Sequence, residues 1–160
     1  MNNEAKNPLQ KMIDDTVALL NKRKLTDAIL SAQTVSDLAE AEHDYYIYAT
    51  AQNLMGVSYV AAGNEMSAVD CYLRGLSCCL EHQIDALFPL FYINLGSRYQ
   101  EANAHKTAIE YLLKAANALS MEACKADPRY HGWCLVNSLN LMISSNHQMN
   151  FELGGEFLER

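Results

Sequence analysis

Proline and glycine are scarce in this chain, with three and seven residues respectively among 160. This scarcity argues against collagen-like, low-complexity and turn-rich all-β classes. Charged residues are also few, at 19%, whereas hydrophobic residues make up 50% of the sequence. That balance excludes an intrinsically disordered chain, because it supplies enough apolar side chains for a sizeable core. The composition predicts one domain that is mostly helical.

Clustered positive charge is missing as well. The formal net charge is -7, and the one basic run, Lys22-Arg23-Lys24, is short, so we expect no nucleic-acid partner. No stretch approaches the roughly 18 consecutive apolar residues of a membrane span, and the polar amino terminus lacks the features of a signal peptide. We therefore expect a cytoplasmic protein with no membrane partner.

The sequence repeats itself at an interval of 40 residues. Segment 55–59 (MGVSY) recurs at 95–99 (LGSRY), and segment 68–73 (AVDCYL) recurs at 108–113 (AIEYLL). A fixed interval of this size is typical of stacked helical hairpins, each too small to bury its own apolar face. Weaker copies flank the two strong ones. We therefore predict one domain over residues 1–160 with about four antiparallel hairpins, at residues 7–42, 43–82, 83–122 and 127–160.

Caps and turn residues predict the helix boundaries. Asn7-Pro8 predicts the first helix start, because Asn caps a helix and Pro is tolerated in the first turn. Thr26 is expected to cap the second helix, and Gly63-Asn64 to separate the third from the fourth. Asp127-Pro128 predicts a seventh helix that ends near His147, followed by a last partial helix.

Small and aromatic residues in the two central repeats carry a family resemblance. Gly56, Ala68 and Gly75, with Tyr59 and Tyr72, lie at spacings that resemble the tetratricopeptide repeat. Gly56 and Ala68 are expected to let paired helices approach closely while the two tyrosines fill the adjoining space. The second copy carries Gly96, Tyr99, Ala108, Leu112 and Ala115.

The resemblance implies an all-α fold, a right-handed superhelical solenoid of hairpins. The interval of 40 exceeds the usual 34 of the family and implies longer helices, and the late proline of the repeat is absent. The longer period resembles tetratricopeptide regions at the amino terminus of bacterial signalling proteins, where they often precede a diguanylate cyclase, a histidine kinase or a DNA-binding module. Because the pattern stops unfinished at Arg160, we expect an amino-terminal fragment of a longer protein.

The resemblance also implies a ligand groove, since the first helix of each pair lines the concave side in this family. Its residues are uncharged, so they suit a peptide better than a phosphate or a carboxylate. The co-chaperone type of carboxylate clamp needs cations that these positions lack. The groove residues implied are Tyr46, Thr50, Asn53 and Val57 on the third helix, and Ile93, Ser97 and Gln100 on the fifth.

Aromatic residues begin the third and fifth helices, as Tyr45, Tyr46 and Tyr48 and as the 88–92 segment. They either pack between neighbouring repeats or line part of a groove. From residue 43 to 104 the basic residues are Arg74 and Arg98 alone. So low a charge suits a core, and it also suits an interface.

Two motifs suggest other chemistry. Residues 154–157 read Gly-Gly-Glu-Phe, which looks like a cyclase signature, but that motif needs two consecutive acidic residues and Glu156 stands alone. We expect a structural role for it. Cys78, Cys79 and His82 would place two metal ligands one helical turn apart, yet two more ligands are needed and buried cysteine behaves as a small hydrophobe.

The sequence therefore predicts a binding scaffold and not an enzyme, with no metal site and no cofactor. It shows neither a Ser or Cys nucleophile paired with His nor a Gly-rich phosphate loop. The first hypothesis is recognition of a peptide, a protein or a second copy, in the sensory region of a cytosolic signalling protein. The second is a peptide-responsive transcription regulator without its DNA-binding part. The third is a thiol or metal sensor that uses Cys71, Cys78 and Cys79.

Overall fold

The computed structural model of the protein describes residues 7–158, and it describes side chains from 7 to 149 except that of residue 123. Within that range the chain is all-helical and contains no strand, which confirms the all-α part of the predicted fold class. None of the helices in this range is long and apolar enough to cross a membrane. The helices are α1 (Pro8–Asn21), α2 (Leu25–Ala41), α3 (Tyr45–Ala61), α4 (Glu65–His82), α5 (Phe88–Glu101), α6 (His105–Leu119), the single turn α7 (Glu122–Lys125) and α8 (Tyr130–Leu158), with a 3-10 turn at Asp85–Leu87 before α5.

The predicted caps at Asn7 and Asn64 are present, whereas two other predicted starts differ from the structure. α8 begins at Tyr130, so Pro128 lies before the helix and not in its first turn. Asn7 Oδ1 accepts a hydrogen bond from Leu9 N at 3.0 Å, and Asn64 Oδ1 accepts one from Ser67 N at 3.1 Å. The Thr26 cap is wrong, because α2 already begins at Leu25 and Lys24 occupies the cap position without a side-chain bond. The backbone of the preceding turn, and not a hydroxyl cap, sets where α2 starts.

The turns between helices recur at every twentieth residue. Positive φ angles occur in the described range at positions 23, 43, 63, 83 and 103, with values from 56° to 76°. At each one the next residue donates its N–H to the carbonyl five residues back, as Asn64 N does to Tyr59 O at 2.9 Å. This is the Schellman arrangement that ends helices. The 40-residue sequence repeat is therefore two such 20-residue steps.

The chain divides into two compact units, Met1–Ile84 and Asp85–Arg160. In the first, called unit 1, α1 contacts α2 and α3, α2 contacts α3, and α3 contacts α4. The core is made of apolar side chains that face one another from all four helices. Its buried members include Leu9, Ile13, Ala32, Val35, Ile47, Ala51, Met55 and Cys71.

Glycines in the helices mark close packing at equivalent repeat positions. A Cβ on Gly56 would lie 2.7 Å from Cδ1 of Tyr72 in unit 1, and a Cβ on Gly96 would lie 2.7 Å from Cγ of Leu112 in the second unit. Both distances are too short for carbon atoms, so these two positions exclude any side chain. The expectation that Gly56 allows close approach while Tyr72 fills the space agrees with this geometry.

In the second unit, called unit 2, α5 packs on α6, and α8 packs on both. The core cluster of Ile93, Ala115, Leu119 and Trp133 joins the three helices. The predicted helix end near His147 is wrong, because α8 runs without interruption over 29 residues. No Pro or Gly occurs from residue 133 to 153, so nothing in the sequence terminates the helix there. Residues 130–158 thus form one long helix and not a pair.

Candidate functional site

The four groove residues implied on α3 share one side of that helix. Tyr46, Thr50, Asn53 and Val57 are spaced by four, three and four residues, which keeps them on one stripe. Tyr46 is exposed and the other three are half-buried. Thr50 Oγ1 donates to the Tyr46 carbonyl at 2.9 Å, so its hydroxyl is turned toward its own helix. Unit 1 keeps this stripe accessible.

The three groove residues implied on α5 are placed differently. Ile93 is buried in the unit 2 core. Asn140 Nδ2 of α8 donates to Ser97 Oγ at 2.9 Å, and Ser144 Oγ of α8 donates to Gln100 Oε1 at 3.2 Å. The expectation of an open groove does not hold at these positions, because α8 covers this side of α5.

A pocket of about 470 Å³ opens in unit 1 where the end of α2, the start of α3 and the second half of α4 meet. It is open to solvent on one side, and it combines aromatic, acidic and basic groups. None of the seven implied groove residues lines it. The lining residues are Glu40, His43, Tyr45, Tyr48, Arg74, Ser77, Cys78, Glu81 and His82.

Tyr45 forms a fixed aromatic wall of this pocket. Its ring stacks on the His82 imidazole with centroids 3.5 Å apart and planes within 6°. Its hydroxyl lies 3.1 Å from His43 Nδ1, and its carbonyl accepts from the Cys78 thiol at 3.6 Å. Because contacts from three directions hold Tyr45, a ligand would meet a preformed surface.

The charged groups of the pocket are Arg74, Glu40 and Glu81. Arg74 Nη2 lies 3.4 Å from Cys71 Sγ, and this hydrogen bond raises the pKa of the guanidinium, so Arg74 is always cationic. Burial, followed by the nearby Glu40 carboxylate, raises the pKa of Tyr48. Within the described residues no ion pair joins Arg74 to either glutamate. The pocket thus offers donors and acceptors to a ligand.

The cysteine thiols are poorly suited to chemistry. Burial raises the pKa of Cys79 to about 12, and burial also raises the pKa of Cys71, Cys78 and Cys124. Thiols are nucleophilic and metal-binding as thiolates, which these pKa shifts disfavour. In the part of the chain with described side chains, no three His, Cys, Asp or Glu residues are grouped to hold a metal ion. Of these cysteines, Cys78 lines the pocket, and its raised pKa disfavours the thiolate form there.

Three sequence features that the sequence does not connect to one another belong to this pocket. They are the tyrosines that begin α3, the isolated Arg74, and the Cys78–His82 pair. A usable signal was present, because Arg74, Cys78 and Glu81 are spaced by four and three residues and so share one face of α4. This spacing does not show that α4 packs against the start of α3, and that packing forms the pocket.

Comparison with protein-family models gives no match, and no curated protein matches the chain significantly. The side chains of 154–157, the cyclase-like motif, lie outside the described ones.

Proposed function

We propose that this protein is a protein- or peptide-binding scaffold of the tetratricopeptide type, the sensory region of a cytosolic bacterial signalling protein. In this proposal the helical pairs over 7–122 stack as a right-handed superhelix, α8 follows them, and ligand binding regulates a carboxyl-terminal output domain such as a diguanylate cyclase. The turns at every twentieth residue and the matched close contacts at Gly56 and Gly96 support a repeat architecture.

The observation that carries the binding role is the preformed pocket of unit 1. Arg74 suits a carbonyl or carboxylate of the ligand, whereas Glu40 and Glu81 suit a basic side chain or backbone N–H groups. Tyr45 and Tyr48 add apolar surface with a polar tip. This combination favours a peptide segment that presents a basic side chain next to exposed backbone. The accessible stripe of Tyr46, on the same helix as Tyr45, would extend the contact.

Affinity capture with charge-matched variants tests this proposal. The full chain, Glu81→Lys and Asp15→Lys would each be immobilised and exposed to cell extract and to a library of short basic peptides. Asp15 is exposed on α1 and outside the pocket, so its variant controls for the charge change. We expect Glu81→Lys to lose at least tenfold in affinity for the captured peptides while Asp15→Lys retains them. Equal binding by all three proteins would place recognition elsewhere.

A double variant of the implied groove residues, Asn53→Arg with Ser97→Arg, is a weaker test of peptide binding. Ser97 bonds to Asn140 of α8, so arginine there would disturb the packing of unit 2. Asn53→Arg alone, on the accessible stripe of α3, tests the groove without that complication.

The thiol or metal sensor is the alternative that the structure disfavours most. We expect purified protein to bind no stoichiometric zinc, and the joint variant Cys78→Ala with Cys79→Ala to retain its helical circular dichroism. One equivalent of tightly held zinc that is lost in the variant would overturn this expectation. The transcription-regulator hypothesis differs from the first only in its output domain, and no feature of the described residues favours it.

A further inference from the structure

The outer face of α8 carries an exposed apolar stripe. Leu135, Leu139, Met142 and Met149 are exposed, with the polar Asn146 between the last two. With Asn146 included, these five residues are spaced by four, three, four and three, which is the a/d pattern of a coiled-coil seam. At about 1.5 Å per residue the stripe is about 21 Å long. Val136 and Ile143 lie beside it and are also exposed.

The stripe lies on the side of α8 that faces away from α5 and α6, the helices on which α8 packs. The inner face carries Trp133 in the core cluster and the bonds of Asn140 and Ser144 to α5. At 3.6 residues per turn, Leu135 and Met142 lie about 180° around the helix from that face. The same helix is therefore packed on one side and apolar without a partner in its unit on the other.

Charge is absent along most of this helix, and the first charged residue in it is Glu152. No Asp, Glu, Lys or Arg occurs from residue 130 to 151, although the chain as a whole has a net charge of -7. In coiled coils, charged residues at the flanking e and g positions determine which helices pair with each other. Here the e positions are Val136 and Ile143, and the g positions are Ser138 and Ser145. An uncharged stripe meets an identical one without repulsion.

The exposed area also fits a pair. The exposed parts of the six apolar side chains amount to about 600 Å² per copy, so two copies would bury about 1,200 Å², the lower limit of stable interfaces. Asn146 occupies an a position, where a parallel pair places it against its own counterpart. In an antiparallel pair it would face an apolar d residue such as Met142 and lose a hydrogen-bond partner.

We propose that a second copy of this chain covers the stripe, in a two-fold symmetric pair of parallel α8 helices. The interface lies within unit 2 and does not depend on peptide recognition in unit 1. It gives the protein a way to bring two copies together along α8.

Sedimentation velocity over a concentration series tests the pair. The wild-type full chain is expected to dimerise with a dissociation constant of about 10 µM. Leu135→Lys with Leu139→Lys should weaken dimerisation by about a hundredfold or more. The control is Leu30→Lys with Leu38→Lys on α2. Leu30 and Leu38 are 62% and 41% exposed, against 62% and 44% for Leu135 and Leu139. The control should dimerise as the wild type does.

A wild-type chain that stays monomeric at several hundred micromolar would overturn the proposal and leave the stripe to another protein or another segment. Equal loss of dimers in both lysine pairs would overturn it too. Asn146→Leu adds a variant that removes no apolar contact, and it should tighten association at least tenfold. No change in association on that substitution would contradict an interface at Asn146, even if the lysine variants failed to fold.

Discussion

Unit 1 and unit 2 each contain one of the two strong copies of the repeat, but they differ in what lies on the first helix of that copy. In unit 1 the stripe of α3 from Tyr46 to Val57 is left accessible, whereas in unit 2 α8 covers Ser97 and Gln100 of α5. The helical pairs themselves are alike, with a glycine against a large side chain at positions 56 and 96. The comparison shows that the repeat determines the turn positions and the pairing of helices, while the elements outside it determine which surface is free.

The largest effect is expected at Gly56, where the two units are most alike. Gly56→Leu should lower the free energy of unfolding by about 3 kcal/mol, because the new side chain meets the buried ring of Tyr72. Urea unfolding followed by circular dichroism measures this. Gly132→Leu is the control, since no atom lies within 4 Å of its Cβ position. Equal stability of Gly56→Leu and wild type would contradict the packing at both glycines.

Loss of a serine hydroxyl from an interhelical hydrogen bond should destabilise the protein more in unit 1 than in unit 2. Gln52 Nε2 donates to Ser36 Oγ at 2.9 Å and both residues are buried in unit 1, whereas the Ser97–Asn140 bond of unit 2 is half-buried. Ser36→Ala should cost about 2 kcal/mol, because it leaves a buried donor unpaired, and Ser97→Ala about 1 kcal/mol. The unfolding free energies of the two variants decide the order. A larger loss for Ser97→Ala would reverse the comparison.

The equivalent turn residues Gly63 and Asn103 give a smaller test. Both have positive φ, 76° and 59°. Gly63→Ala should cost about 1 kcal/mol from backbone strain alone, since nothing lies near its Cβ position, and Asn103→Gly should gain up to about 1 kcal/mol. Gly63→Asn, which tolerates this conformation better, is the control for Gly63→Ala. Thermal unfolding of all three variants measures the effects. Stabilisation by Gly63→Ala would contradict the left-handed turn.

The smallest effect is expected at Asp127, before α8. Hydrogen bonds from the Arg129 side chain lower the pKa of this carboxyl. Because the folded pKa lies below the unfolded value near 3.9, the carboxylate stabilises the protein above about pH 4, and that contribution is lost as the pH falls through the folded pKa. Screening limits it to a few tenths of a kcal/mol.

Asp127→Asn should therefore be slightly less stable than wild type at pH 7 and equally stable near pH 2. Chemical unfolding at both pH values measures the difference, with Asp15→Asn on the exposed side of α1 as the control. A difference between Asp127→Asn and wild type that persists at pH 2 would assign the effect to something other than this carboxylate.

Local patterns predicted the helical class and most helix boundaries, because apolar periodicity, Asn7-Pro8 and Gly63-Asn64 act on neighbouring residues. The accessible groove could not be predicted in full, since whether α8 covers α5 depends on contacts between residues more than 40 positions apart. The predicted helix end near His147 is wrong because it follows from extending the repeat into a segment that has no turn residue from 133 to 153. The pocket was missed because Tyr45 and His82 come together only when α3 and α4 pack.

Because the left-handed turns are evenly spaced, the fold of this chain is sensitive to insertion or deletion of residues between them. The five turns have Arg, His, Gly, Gln and Asn at the left-handed position, and they are all 20 residues apart. The identity of the turn residue can therefore vary, whereas its position in the chain cannot. Removing one residue from the middle of α3 would turn every later side chain of that helix by about 100° and take Gly56 away from Tyr72. Deletions within the repeats should therefore be selected against more strongly than substitutions, and changes of length should accumulate after α6, beyond the last strong copy of the repeat.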